Sequence, residues 1–232
     1  MRAESDFLGS VKLPDDCLYG INTARAVSNF SISGKAVHKE LIYELIMLKR
    51  SAAVANRDAG LLDDNIAQYI VSACDKLSFN IDMSLFPTDT LQGGAGTSIN
   101  MNVNEVVCNT ALLIAGRRCG DYDFIDPLDH VNLNQSTNDI FPTAVRIASI
   151  KLIRKLSDGC AQLQTALQAK EQEFAHIKKI GRTELMNATE ITLGEQFGSY
   201  AQCIARDRWR IYKAEERLRF INIGGAAVGK AA

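Results

Sequence analysis

Residues 134 to 159 read "NQSTNDIFPTAVRIASIKLIRKLSDG", a knot of short amide and hydroxyl side chains running straight into a long apolar-periodic segment. From about Phe141 to Ala175, the residues Val145, Ala148, Leu152, Leu156, Leu163, Leu167 and Phe174 recur near one helical face. At the helical rise such a segment spans roughly 50 Å, with Gly159 as a weak point in its middle. A second long segment follows from about Thr192 to Asn222, carrying Phe197, Ala201, Ile204, Ile211, Leu218 and Ile221 at the same spacing. Two such helices joined by a short linker predict an elongated bundle. Each is apolar over more surface than one partner covers, so either other chains complete the bundle or it closes on itself as a monomer.

Upstream, three shorter amphipathic helices are expected. The first covers 38 to 58, with Leu41, Leu45, Leu48, Ala52 and Ala55 as its stripe and Gly60 as its stop. The second runs from about Asp63 to Ser78. The third runs from about Asn104 to Arg118, ending on two arginines that suit a helix C-terminus. The stretch up to Lys35 is too broken for long helices and reads as loops with a short hairpin. The fold class is therefore mainly α, mostly helical over residues 1–139 and with two long bundle helices over 140–232.

Composition narrows the function. The 232 residues carry 26 basic and 27 acidic side chains. These alternate along the chain, so no nucleic-acid footprint appears. The longest apolar runs fall far below the roughly 20 residues of a membrane span, and the N-terminus lacks the apolar core of a secretory signal. Cys17, Cys74, Cys108, Cys119, Cys160 and Cys203 stand apart without a C-x-x-C pair, as expected of reduced thiols in a cytoplasmic chain, and no metal-ligand spacing is present.

Ser136, Thr137, Asn138 and Asp139 precede the long helix, and Pro142 falls where a first turn tolerates it. One N-cap needs one side chain. The cluster is thus either a cap with surplus polarity or a site for an anion at the positive end of a helix. A second cluster, "QGGAGTSINMNVNEVV" at 92 to 107, offers Thr97, Ser98, Asn100, Asn102 and Asn104 just ahead of another helix, with no lysine of a Walker A loop. A third, "GRTELMNATEITLGEQFG" at 181 to 198, places Thr183, Glu184 and Asn187 before the second long helix. Uncharged, donor-rich loops at helix starts suit a small carboxylate substrate, because hydroxyl and N–H donors stabilise charge that develops on a carboxylate oxygen.

In order and spacing, "LYGINTARAVSNFSISG", "GGAGTSINMNVNEVV", "HVNLNQSTNDIFPTAVRIA" and "TLGEQFGSYA" resemble the signature blocks of the aspartase/fumarase superfamily. Within it, "GAGTS" and "QSTND" are closer to the aspartate ammonia-lyase branch than to the fumarases. The resemblance implies cofactor-free elimination of ammonia from L-aspartate to give fumarate. It implies a homotetramer whose active sites draw on several subunits. It assigns Thr97, Ser98, Ser136, Thr137, Asn138 and Thr183 to substrate binding, and Thr183 and Glu184 to the catalytic set. Glu184 stands where relatives carry His or Gln. It reads as a neutral donor, as a partner for the departing ammonium, as the mark of another substrate such as malate, or as a helix-start glutamate favoured by the dipole. The serine loop that bears the base in the family has no match here. The expectation is an N-terminal portion that needs a companion chain or a missing C-terminal half, with a catalytically inactive assembly subunit as the alternative from another class.

Overall fold

A computed structural model describes residues 1–230. The chain opens with an antiparallel hairpin, β1 Arg2–Asp6 and β2 Gly9–Leu13, in register from Arg2 opposite Leu13 to Asp6 opposite Gly9. Helices α1 Ile21–Asn29, α2 Lys39–Asp58, α3 Asp64–Phe79 and α4 Thr97–Ile114 follow. Beyond a π-helical turn at Pro127–Val131 comes α5 Thr137–Glu173. A second hairpin, β3 Lys178–Thr183 and β4 Met186–Thr192, leads into α6 Leu193–Leu218. The architecture is mainly α, as expected.

Two compact units emerge from the packing. One comprises Met1–Ala148 together with the segment that begins at Ile221; the other is Ser149–Phe220. In the first, α2, α3 and α4 pack side by side. Ile42, Leu45 and Ile46 of α2, Ile70 and Cys74 of α3, and Val103, Val106, Val107 and Leu112 of α4 fill its core with Phe86 and Ile125. The buried stripe of α2 runs through Ile42, Leu45, Ile46, Lys49, Ala53 and Asn56, one position away from the expected one.

Helix α4 is buried at every residue from Ile99 to Leu112. It begins at Thr97, seven residues before the expected Asn104, because its asparagines find partners that their modest helix propensity does not foretell. It ends before Arg117 and Arg118 in a Schellman motif. Gly116 adopts φ 74, its N–H reaching Leu113 O and that of Arg117 reaching Leu112 O. The expected stop at Gly60 has the same geometry, with φ 71 and the N–H of Leu61 on Asn56 O.

The nine-residue α1, unforeseen in the sequence, is too short to hold itself together in water. Its N-terminus is held by two distant carboxylates. Glu105 of α4 accepts the N–H groups of Gly20, Asn22 and Thr23 and the Thr23 hydroxyl at 2.5–3.1 Å, while Glu4 of β1 accepts Ile21 N–H at 2.8 Å. Burial pushes the Glu105 carboxyl above its usual range, against the four donors that favour its ionised form. A Cβ on Gly20 would lie 2.8 Å from Glu4 and 2.9 Å from Glu105, so only glycine fits between them.

In the second unit the later part of α5 pairs with α6. Gly194 and Gly198 let the helices approach so closely that a Cβ on Gly194 would stand 2.4 Å from Glu171 O. The Phe174 and Phe197 rings meet at a tilt of 51°, 5.5 Å between centroids. Arg154 reaches Glu215, and Arg208 reaches Gln164. Helix α5 passes through Gly159 without a break. Leu152, Leu156, Leu163, Trp209 and Tyr212 remain exposed.

Replacing Glu105 with Gln turns one acceptor oxygen into a donor facing the N–H groups of α1. We expect Glu105→Gln to lower stability by about 1–3 kcal/mol in urea unfolding, with loss of amide protection at Asn22 and Thr23.

Candidate active site

The first donor cluster is the start of α4. Gly96 at φ 90 is its N-cap residue, and no capping side chain bonds there. One turn in, the Ile99 N–H is taken by Gln92 Oε1 at 3.0 Å, while Gln92 Nε2 donates to Asp89 O at 2.9 Å. Asp89 anchors this loop. Its carboxylate accepts the Ser33 hydroxyl and the N–H groups of Leu91, Gly34 and Ser33, which together hold its carboxyl well below the usual range. Thr97 is left exposed and Ser98 half-buried. Ser98 lines a cleft of about 620 Å³ with Asn22, Arg25 and Phe30.

The second cluster is the start of α5. The helix begins at Thr137, so Pro142 sits inside it rather than in the first turn, and its missing N–H removes the ladder bond to Asn138 O. Ser136 is the cap. Its hydroxyl accepts Asn138 N–H at 3.2 Å, and Asp139 Oδ2 accepts Ser136 N–H at 3.4 Å. The other Asp139 oxygen takes Ala226 N–H at 2.6 Å, while Thr143 and Arg146 hold Asn222. Capping thus occupies Ser136 and Asp139. Thr137 stays half-buried and Asn138 exposed at the positive helix end.

The structure brings these two helix starts together. A Cβ on Gly96 would fall 2.4 Å from the Phe141 ring of α5, and Asn100 Nδ2 donates to Thr137 Oγ1 at 3.1 Å. Beneath them lies Lys49 of α2, fully buried. Its ammonium donates to Asn132 Oδ1 at 2.8 Å and Gln135 Oε1 at 2.9 Å. Asn132 Oδ1 also receives Asn100 Nδ2 and Asn104 Nδ2, each at 3.2 Å. Burial pushes the Lys49 amine down to about 7. Sequence reasoning passed over Lys49, Asn132 and Gln135. The legible signal was a lysine four residues after Leu45, on the buried stripe of α2.

The third cluster is not a loop at a helix start. Thr183 closes β3 opposite Met186, and Glu184 and Leu185 form the turn of the hairpin with φ 51 and 64. Glu184 is therefore not a helix-start glutamate, and Thr183, Glu184 and Asn187 are all exposed within the second unit. Thr192, at the end of β4, is the cap of α6, in a capping box with Glu195. Among the described residues no group of three His, Cys, Asp or Glu side chains is placed to hold a metal ion, and no helix is long and apolar enough to cross a membrane.

Two donor-rich helix starts thus lie side by side above a buried lysine in a mainly helical protein. The chain belongs to the aspartase/fumarase superfamily: the family described as Lyase matches residues 9–232. It is 47% identical over 229 residues to an aspartate ammonia-lyase from a Bacillus species, covering 99% of this chain and 49% of that protein. Among solved structures it is similar to a fumarate lyase:delta crystallin from Brucella melitensis, with TM-score 0.93 and 43% identity over 97% of this chain and 53% of the other. It is also similar to a class II fumarase from Schistosoma mansoni, with TM-score 0.89 and 32% identity over 98% of this chain and 48% of the other. The chain spans about half the length of the curated relatives it matches.

Two outcomes follow from the packing around this site. Gly96→Ala puts a methyl group into the Phe141 ring and a side chain into left-handed backbone, and is expected to cost about 2–4 kcal/mol in thermal or urea unfolding. Lys49 binds its proton more weakly folded than unfolded, so stability rises with pH from about 7 toward the ordinary lysine value of 10.5. Between pH 7.5 and 8.5 the protein should gain about 1 kcal/mol that Lys49→Met does not gain. The buried Cys74 and Cys108 thiols, whose pKa values are raised, are common to both proteins and cancel in the comparison.

Proposed function

We propose that this chain belongs to an aspartate ammonia-lyase, which eliminates ammonia from L-aspartate to give fumarate. The observation that carries the reading is the pairing of the α4 and α5 starts, where uncharged hydroxyl, amide and N–H donors converge at two positive helix ends. Relatives named aspartate ammonia-lyase, 40–47% identical, support it. In this reading Thr97 and Ser98 bind one end of the substrate. Ser136, Thr137 and Asn138 bind and polarise the carboxylate beside the carbon that loses its proton, so that the charge it takes up meets fixed donors. Ser136 already serves as a cap, its oxygen accepting the Asn138 N–H.

Thr183 and Glu184, at the hairpin tip, contribute a hydroxyl and a carboxylate in the catalytic set, Glu184 as a partner for the departing ammonium. The base is supplied from outside the matched half, by further chain or by a companion. The exposed apolar residues Leu152, Leu163 and Trp209 fit a homotetramer built on a shared bundle, in a cytoplasmic, cofactor-free enzyme, with residues 140–232 as the first part of that bundle and 1–139 as the domain before it. A second reading, fumarate hydratase, is favoured by one observation: the likeness to a class II fumarase.

Fumarate formation followed by ultraviolet absorbance separates these readings. L-Aspartate is expected to be turned over when this chain is combined with the remainder of a full-length lyase, and not by this chain alone. Turnover of L-malate in place of L-aspartate would sink the ammonia-lyase reading. Turnover by the isolated chain would place the base within it.

A further inference from the structure

A buried lysine held by neutral amide oxygens is an expensive feature to keep, since removing an ammonium from water carries a large desolvation penalty. Lys49 is fully buried, and its hydrogen-bond acceptors are two side-chain amide oxygens, those of Asn132 and Gln135. An ammonium donates hydrogen bonds and cannot accept them. That one-way chemistry propagates. Asn132 must present its oxygen to Lys49, and its nitrogen donates to Gln135 O at 2.9 Å. The same oxygen faces Asn100 and Asn104, so both must present nitrogen to it. Asn100 then also offers nitrogen to Thr137 Oγ1, at 3.1 Å. A hydroxyl that accepts from the interior keeps its own hydrogen for another partner.

We propose that Lys49 is a positioning residue that sets the direction of this hydrogen-bond chain, so that the Thr137 hydroxyl donates outward to a bound carboxylate. The inference rests on the reading of Thr137 as a carboxylate contact. It adds a group remote from the ligand that decides whether that contact is attractive. Without Lys49 the Asn132 amide loses the charge that holds its oxygen inward and keeps its nitrogen's bond to Gln135 O as the remaining restraint. The amides of Asn132 and Asn100 can then rotate, and Asn100 Oδ1 takes the hydroxyl hydrogen. Thr137 is left with a lone pair facing the anion.

The test is a double-mutant cycle on binding of succinate, an unreactive dicarboxylate, by isothermal titration calorimetry at pH 6, where the ammonium form of Lys49 prevails. The full-length lyase containing this chain is compared with Lys49→Met, Thr137→Val and the double variant. Lys49→Met and Thr137→Val are each expected to weaken succinate binding roughly 10- to 100-fold, the loss of one hydrogen bond to a charged group. The double variant should be no more than about twofold weaker than either single one, because both act through one hydroxyl. Additive losses, or undiminished affinity in Lys49→Met, would overturn the inference. A role in packing alone predicts additivity.

If Lys49→Met does not fold, Asn100→Leu takes its place in the cycle with the same expectation. If the unaltered protein binds no succinate, the functional reading fails, and the inference is decided by the side-chain amide signals of Asn100 and Asn104 in nitrogen-15 NMR. Those signals should shift and exchange faster in Lys49→Met; signals that do not move would dispose of the chain.

Discussion

Helix α4 is surrounded by protein along fourteen consecutive residues, from Ile99 to Leu112, and six of them are polar. Such a helix cannot turn a hydrophilic face to water, so each polar side chain must find a partner in whatever packs against it. The partners are the loops. Asn102 donates to Leu85 O, Asn109 donates to Leu18 O and accepts Gly120 N–H, Glu105 holds the start of α1, and Asn100 and Asn104 reach Asn132. Thr110 is satisfied within the helix, by Val106 O. The helix core thus fastens the irregular segments that regular structure cannot, and those segments include the donor-rich start of α5.

This arrangement gives the site its electrostatic character. The backbone dipoles of α4 and α5 present positive ends, and the first side chains offered there are neutral donors. Lys49 lies underneath, where water does not screen the charge it carries when protonated. Carboxylates in the neighbourhood are committed elsewhere. Asp139 joins Ser136 to Ala226, Asp89 fastens the loop before α4, and Glu105 belongs to α1. Under the proposed function, an incoming carboxylate would meet donors while these three carboxylates stay bound to other partners. Burial lowers the lysine amine to about 7, a measure of how strongly the interior resists the charge kept there.

Much of this was legible in the sequence. The 3.6-residue periodicity of α2, α5 and α6, the stop at Gly60, the cap cluster before α5 and the order of the signature blocks pointed to the fold class, because each depends on neighbours a few residues apart. The family resemblance also supplied Thr97, Ser98, Ser136, Thr137 and Asn138 as the residues of the proposed function. The misreadings share a cause. Asn100 and Asn102 look like loop residues by propensity and are helical because distant oxygens accept their amides. Helix α1 exists because Glu4 and Glu105, 17 and 85 residues from the groups they bind, cap it. The hairpin of β3 and β4 was hidden by a turn built on Glu184 and Leu185, residues that rarely adopt positive φ.

The amino-acid sequence by itself determined that this is a mainly α chain of the aspartase/fumarase type with hydroxyl and amide donors gathered at helix starts. Period, capping and motif order are properties of short stretches, and short stretches can be read one at a time. Only the tertiary structure decided that the starts of α4 and α5 lie against one another, that Gly96 must be bare to admit Phe141, and that Lys49 sits beneath both. Those facts depend on burial and on the one-way donor chemistry of an ammonium. Neither has a signature in the residues flanking the groups it governs.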